Sequence, residues 1–499
     1  MTTNPEKEGT IIPENDEDIR EEGEEIHSDV ISDKKEEKIM SNPDIPLEMK
    51  EMCDALFKDK KHIFLHGPGG TGKSHRIRFL KEYCAKKNIK MAITSTTGVS
   101  ALNISGVTIH SFSKIGRSDK SAREIIRKMK SVTRNSLLEA LCTYSIICID
   151  EVSMLHGNLL DKIDQMFRII LRRKTKPFGG KLMVFSGDTL QLPPVEPNKK
   201  WNDPVDYYFK AKVWKEMGKT LKILNLTTPY RYNDKKWYEL LMRLRINKAT
   251  EHDHKILHGR VCTESEIKKE NSVLLPPRLL PLRWQVYKYN KRKLESINEI
   301  KVEYKASDCC IDRNKCHPPE YYYNPSEIFL KCNNIHSNTN PILAKAIVKR
   351  LDSEASRILQ FKVGANVMMI INMFQMELAN GSQGVVKKVG KNYVEVKFRN
   401  IEKTIKIHKA PFWIFTQKKA FIRFQIPLIL SWAVTIHRCQ GSNLDCAVID
   451  LGKNIFAPFQ AYVALSRVRS RKGLYLLRYR LQSIKVNEEA LEYAKKIEK

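Results

Sequence analysis

The eight residues GPGGTGKS at 67–74 constrain this chain more than any other segment. They follow the apolar run HIFLH (62–66) and precede a stretch with Ile77, Phe79, Leu80 and Tyr83 at helical spacing. A buried strand, a glycine-rich turn and a helix, in that order, aim backbone amides at one point on the helix N-terminus, which is a ready site for phosphate. Gly67, Pro68, Gly69, Gly70, Thr71 and Gly72 form the cradle, Lys73 brings charge to β and γ phosphates, and Ser74 brings a hydroxyl to magnesium. A glycine-rich turn without a ligand is the competing reading, and the flanking strand and helix argue against it.

Two further apolar runs end in polar residues suited to the same chemistry. YSIICIDE (144–151) closes on Asp150, placed for magnesium, and Glu151, placed to orient or deprotonate an attacking water. Seen alone, the pair reads equally well as a solvated turn; behind a phosphate loop it reads as catalytic. KLMVFSGD (181–188) leads into FSGDTLQLPPV (185–195), which directs Asp188 and Gln191 toward the γ-phosphate position. A neutral amide such as Gln191 both donates and accepts, which suits a sensor. Together these segments imply hydrolysis of a nucleoside triphosphate.

With KMAITST (90–96), these runs predict a parallel α/β sheet over the first 215 residues. Leu159, Leu160, Ile163, Met166, Phe167, Ile170 and Leu171 make a helical stripe between two of the strands. A second α/β unit is expected from KILNLTTPYRY (222–232) and LLPLRWQVYKYN (279–290), resuming at CAVIDLG (446–452) and GLYLLRY (473–479). Between its pieces, residues 361–430 alternate apolar and polar with glycine at turns, the pattern of a small antiparallel barrel.

Charge suggests the partner. The 499 residues sum to +30, yet residues 1–38 carry 14 acidic against 5 basic side chains, so the remainder holds +39. A field of that sign attracts polyanions, nucleic acid first among them, although a lysine-rich solvated surface is the bland alternative. The acidic head reads as a disordered tail. No apolar run is long enough to span a membrane, and the first 30 residues resemble neither a secretory signal nor a mitochondrial transit peptide, so an intracellular protein is expected, nuclear or cytoplasmic. Eleven scattered cysteines fit reduced thiols. Cys309, Cys310, Cys316, His317, Cys332 and His336 cluster, but their spacing matches no standard zinc finger; zinc ligation is the alternative to loose thiols.

At this point a family resemblance becomes specific. GPGGTGKS, TSTTGVSALNISGVTIHSF (94–112), IDEVSM (149–154), FSGDTLQLPPV, VGANVMMIINM with NGSQGVV (363–386), WAVTIHRCQGSNLD (432–445) and AYVALSRVRS (461–470) stand in the order found in the Pif family of superfamily 1B DNA helicases, related to the RecD and Dda helicases. EVSMLHGNLLDKIDQMFRIILRR (151–173) resembles the signature that separates that family from its RecD relatives. The resemblance implies an α/β fold with two RecA-like domains, residues 43–217 and residues 218–360 with 431–499, behind a tail at 1–42, and with the 361–430 barrel inserted in the second. By the same resemblance, Arg231 in TPYRY and Arg467 in ALSRVRS reach the γ-phosphate from the second domain, although either arginine alone reads as a surface ion-pair partner. DNA contacts fall to Thr97, Gly98, His110 and Phe112, and to Thr435, His437 and Gln440, with core packing the alternative for His110 and Phe112. A departure stands ahead of the phosphate loop, where the family usually reads adenine with a glutamine and this chain has Met49 or Lys50.

The implied activity is an ATP-dependent DNA helicase moving 5′ to 3′ on a single strand, with ATP and magnesium as consumables. Implied partners are single-stranded and tailed duplex DNA, together with replication or repair proteins, for a chain monomeric in solution. A nucleic-acid-stimulated NTPase that remodels or strips nucleoprotein without unwinding is the rival reading. A nucleotide-switched binding module is a third, opposed by the complete set of hydrolytic residues.

Overall fold

A computed structural model describes residues 47–97, 100–101, 104–115, 120–194, 205–270, 275–312, 332–335, 340–371, 373, 376, 378, 381–399, 401–415 and 419–498. The expected acidic tail, Gly98, Cys316, His317 and His336 lie outside these residues.

The first sheet has six strands: β1 (His62–His66), β2 (Met91–Ser95), β3 (Val107–Thr108), β4 (Ile146–Asp150), β5 (Leu182–Gly187) and β6 (Leu221–Asn225). They lie in the order β3-β2-β4-β5-β1-β6 and every pairing is parallel. The strands β1, β2 and β4 are buried at all five positions, as strands covered by helices on both faces must be. The stripe read between β4 and β5 is the helix Gly157–Ile170, whose Leu160, Ile163, Met166 and Phe167 are fully buried against this sheet. In such sheets ligands bind beyond the carboxyl ends of the strands, and here those ends carry the phosphate loop, Asp150 and Asp188.

Two expectations need correcting at the seam between the units. KILNL was read as the start of the second unit, but β6 pairs with β1 along His62–His66 and completes the first sheet. Without β6, β1 would be paired by β5 on one side only, and its other buried edge would leave amides without partners. The last helix, Glu488–Ile497, was likewise assigned to the second unit. Ala490, Leu491 and Ala494 join the first core, and Tyr493 stacks on Phe209 at 4.2 Å and accepts from Trp214 Nε1 at 2.8 Å.

A second parallel sheet consists of Ala433–Thr435, Arg278–Leu280, Ala447–Leu451 and Leu474–Tyr479, in that order. Antiparallel strands make up the rest. Thr404–His408, Tyr393–Phe398, Gln383–Val389, Asn366–Met369 and Leu428–Leu430 form a five-stranded ladder. Its two end strands are not paired with each other among the described residues, so the ladder is open there and the closed barrel expected is not confirmed. Lys419–Gln425 and Ala410–Phe415 leave it for another sheet with Ser307–Asp312 and Asn333–Asn334, so the antiparallel region draws on residues upstream of 361. Arg423 locks that sheet from inside: it is fully buried and paired with Asp308 at 2.6 Å and Asp352 at 2.5 Å. Among the described residues no helix is long and apolar enough to cross a membrane.

Candidate active site

The phosphate loop is shaped by close approach. Gly70 and Gly72 hold φ of +91° and +83°, in the left-handed region that glycine tolerates. A Cβ on Gly67 would meet Leu226 O at 2.4 Å, and one on Gly70 would meet Arg231 Cβ at 2.5 Å. At Gly69 three polar groups converge: a Cβ there would lie 3.1 Å from Arg467 Nη2, 3.2 Å from Arg231 Nη1 and 3.6 Å from Gln191 Nε2. The two arginines expected from the far unit therefore do face the loop. Tyr230 N donates to Gly70 O at 2.9 Å, tying the TPYRY segment to it.

Lys73 Nζ donates to Gly67 O at 2.6 Å and Pro68 O at 2.8 Å. Burial lowers the Lys73 pKa, opposed by Asp188, Glu151 and Asp150, so the lysine is the positive centre of an acidic ring. Asp150, at the end of β4, is pushed up to about 6, first by burial and then by Glu151. Such a carboxylate gains from a neighbouring cation. With the exposed hydroxyl of Ser74 it offers hard oxygen donors, the kind magnesium takes. Glu151 sits at φ +54°, a left-handed turn that swings its side chain off the strand line.

Arg467 is a buried cation and Arg231 a half-buried one beside it. Arg467 is 1% exposed, with Nε on Val463 O at 2.9 Å and Nη2 on Ser466 Oγ at 2.9 Å. Arg231 Nη1 reaches Ser466 O at 3.2 Å, its Nε lacks a partner, and burial together with Arg467 brings its pKa down to about 10. Two guanidiniums this close, one with an unused N–H, form a cradle for an anion.

Asp188 serves the site indirectly. Arg245 Nη2 donates to it at 2.7 Å and Gln191 Nε2 at 3.2 Å. Burial would raise its pKa, but the Arg245 charge and hydrogen bond more than offset that and hold it below the usual carboxylate range. Asp188 thus orients Gln191 and ties the first unit to the helix Lys235–Arg245. The sequence reading missed Arg245. Its signal is a charge at the i+4 step of the buried series Trp237, Leu241.

The expected DNA contacts divide. Thr97 is half-buried with its hydroxyl on Ser100 Oγ at 2.9 Å, and His110 is half-buried in the helix Ile109–Ser113. Thr435 ends a strand of the second sheet, and His437 opens the turn His437–Cys439, its ring stacked on Phe456 at 6.2 Å. Phe112 is a correction: it is buried, edge-on to Phe167 at 6.3 Å and tilted on Tyr144 at 6.0 Å, so its ring is core and not a stacking face. Gln440 is 3% exposed and donates Nε2 to Glu151 Oε2 at 3.2 Å, which links the Thr435–His437 segment to the acidic ring. Met49 is buried and Lys50 exposed on the helix Leu47–Cys53. Cys309 and Cys310 are buried on Ser307–Asp312, and among the described residues no three His, Cys, Asp or Glu side chains group to hold a metal.

Gly69, Gly70, Gly72, Lys73, Ser74, Asp150, Glu151 and Gln191 wall one side of a cleft of about 640 Å³. The other side brings Arg231, Arg467, residues 381–383 of the antiparallel region and residues 441–445.

A model of the PIF1-like helicase family matches residues 48–265. The chain is 30% identical over 444 residues to "ATP-dependent DNA helicase PIF1" of Danio rerio, covering 88% of this chain and 62% of that protein. It is 28% identical over 533 residues to "ATP-dependent DNA helicase RRM3" of Saccharomyces cerevisiae, covering 91% of this chain and 68% of that one. The crystal structure of the Pif1 helicase from Candida albicans superposes with a TM-score of 0.69 at 28% identity, covering 91% of this chain and 99% of that chain. Unliganded Pif1 from Bacteroides, at 24% identity and TM-score 0.68, shares the fold over 91% of this chain and 97% of its own. The chain thus spans less than two thirds of the Danio rerio protein and nearly all of the solved Candida structure.

Proposed function

We propose that this chain, a relative of the Pif1-like helicases, is an ATP-dependent helicase that moves 5′ to 3′ along single-stranded DNA and opens duplexes ahead of it. The observation that supports this reading is the convergence of Arg231, Arg467 and Gln191 on Gly69, opposite Lys73 and the Asp150–Glu151 pair. A phosphate loop alone binds nucleotide; cations supplied across a cleft tie its hydrolysis to closure.

In the proposed cycle, loop amides and Lys73 hold the β and γ phosphates. Ser74 and Asp150 would hold magnesium, which would supply positive charge where negative charge develops on the phosphates. Glu151 takes a proton from the attacking water, Gln191 orients that water or the γ-phosphate, and Arg231 and Arg467 stabilise the leaving charge. The two parallel sheets act as RecA-like halves, the first completed by β6 (Leu221–Asn225) and joined by the helix Glu488–Ile497, and residues 361–430 ride on the second. Thr97, Gly98 and His110 grip the strand from one half, Thr435 and His437 from the other, with alternating hold. Gln440 connects the second grip to Glu151. The direction is inferred from family resemblance, since opening and closing of the cleft serves either polarity. We further infer a monomer in solution, with replication or repair proteins as partners.

Strand displacement tests this directly. A duplex with a 5′ single-stranded tail is expected to separate with ATP and magnesium, while one with only a 3′ tail stays largely paired; the reverse preference would refute the polarity. Glu151→Gln gives a second test. The amide keeps the shape but cannot accept the proton, so turnover is expected to fall about 10²- to 10⁴-fold while nucleotide binding persists. Loss of binding in equilibrium dialysis would show instead that Glu151 holds the loop together.

A further inference from the structure

Outside the cleft, the helix Arg283–Glu295 presents an unusual surface. Trp284 and Tyr287 stand 62% and 69% exposed, one helical turn apart. With Lys288 and Lys291 they fall at i, i+3, i+4 and i+7, a single face. The helix carries Arg283, Lys288, Lys291, Arg292 and Lys293 against one acidic side chain, Glu295, which lies 3.9 Å from Lys291 Nζ in an exposed pair. An adjoining face is committed to packing, since Asn290 and Leu294 are buried. Two indole and phenol rings left in water are costly unless they serve a partner. The basic side chains around them fit a polyanion with flat apolar groups, which is single-stranded nucleic acid.

The helix is also rigidly joined to the Thr435–His437 segment. Asn290 Nδ2 donates to Ala433 O at 2.8 Å, and Asn290 Oδ1 accepts from Ala433 N at 2.8 Å. Ile436 N donates to Leu280 O at 3.0 Å, on the strand that leads into the helix. Arg283 lies close enough to His437 to add to the effect of burial in lowering that imidazole's pKa.

We propose that Trp284 and Tyr287, flanked by Arg283, Lys288 and Lys291, form an accessory stacking platform for bases of the single strand beyond its contact with the Thr435–His437 turn. The proposal rests on the reading of this chain as a single-strand-binding motor. The rings take bases by their faces without selecting among them, and the cations hold the intervening phosphates.

The test compares oligothymidylate with an abasic oligonucleotide of equal length, by fluorescence anisotropy on the full chain. The double variant Trp284→Ala/Tyr287→Ala is expected to bind oligothymidylate about tenfold or more weakly. Its affinity for the abasic strand is expected to change far less. Trp284→Phe/Tyr287→Phe restores most of the loss, because it keeps the aromatic faces. Equal weakening on both strands would overturn the platform by pointing to structure or charge, and unchanged binding would overturn it outright. If the unsubstituted chain fails to bind oligothymidylate, the motor reading falls with the platform. If it binds and the double alanine variant binds equally well, the platform alone falls.

Discussion

Lys73→Ala is expected to abolish nucleotide hydrolysis, with a loss of at least about 10²- to 10³-fold in strand-stimulated turnover. The ammonium is the positive charge facing Asp188, Glu151 and Asp150. Removing it leaves a triphosphate to meet three carboxylates, so the loss should fall on nucleotide binding as well as on the chemical step. The Lys73 contacts to Gly67 O and Pro68 O also brace the loop, so circular dichroism and thermal melting must accompany the assay to confirm folding. Near-normal turnover in a folded variant would remove the phosphate loop from the mechanism.

Arg467→Ala is expected to cost about 10³- to 10⁵-fold in kcat with a much smaller change in nucleotide affinity. Its guanidinium is held by Val463 O and Ser466 Oγ, so it approaches Gly69 already oriented. A planar fork placed this way stabilises charge that appears only in the transition state, which separates kcat from binding. Lysine at the same position should not rescue, because a single ammonium cannot keep both the anchoring bonds and the phosphate contact. Steady-state hydrolysis at saturating oligonucleotide decides the matter. A loss below about tenfold would leave Arg231 as the principal cation across the cleft.

Much of this site is legible from local pattern. A phosphate loop, and acids at strand ends, need only a few consecutive residues, so GPGGTGKS and IDEVSM announce themselves. Arg231 and Arg467 carry no such local mark. Resemblance nominated them, and their place against Gly69 depends on how two sheets face each other. Arg245 escaped notice because one arginine at the end of an amphipathic helix reads as solvated, until Asp188 is seen opposite it at 2.7 Å. Long-range pairing explains the errors in the fold as well. Nothing within LKILN reveals that it completes β1 from 159 residues away, as the contact between His66 and Asn225 does. Phe112 stands beside plausible phosphate contacts in sequence, yet a helix turn carries its ring inward to Phe167.

If cleft closure at Gly69 drives strand separation as proposed, phosphate release and strand displacement are coupled, and both can be followed together in one reaction on a 5′-tailed duplex. Both are expected to require ATP and magnesium and to disappear in Lys73→Ala, and displaced strand is expected to accumulate with released phosphate. Vigorous DNA-stimulated phosphate release while the duplex stays paired would contradict it, and would identify a nucleoprotein-remodelling NTPase instead.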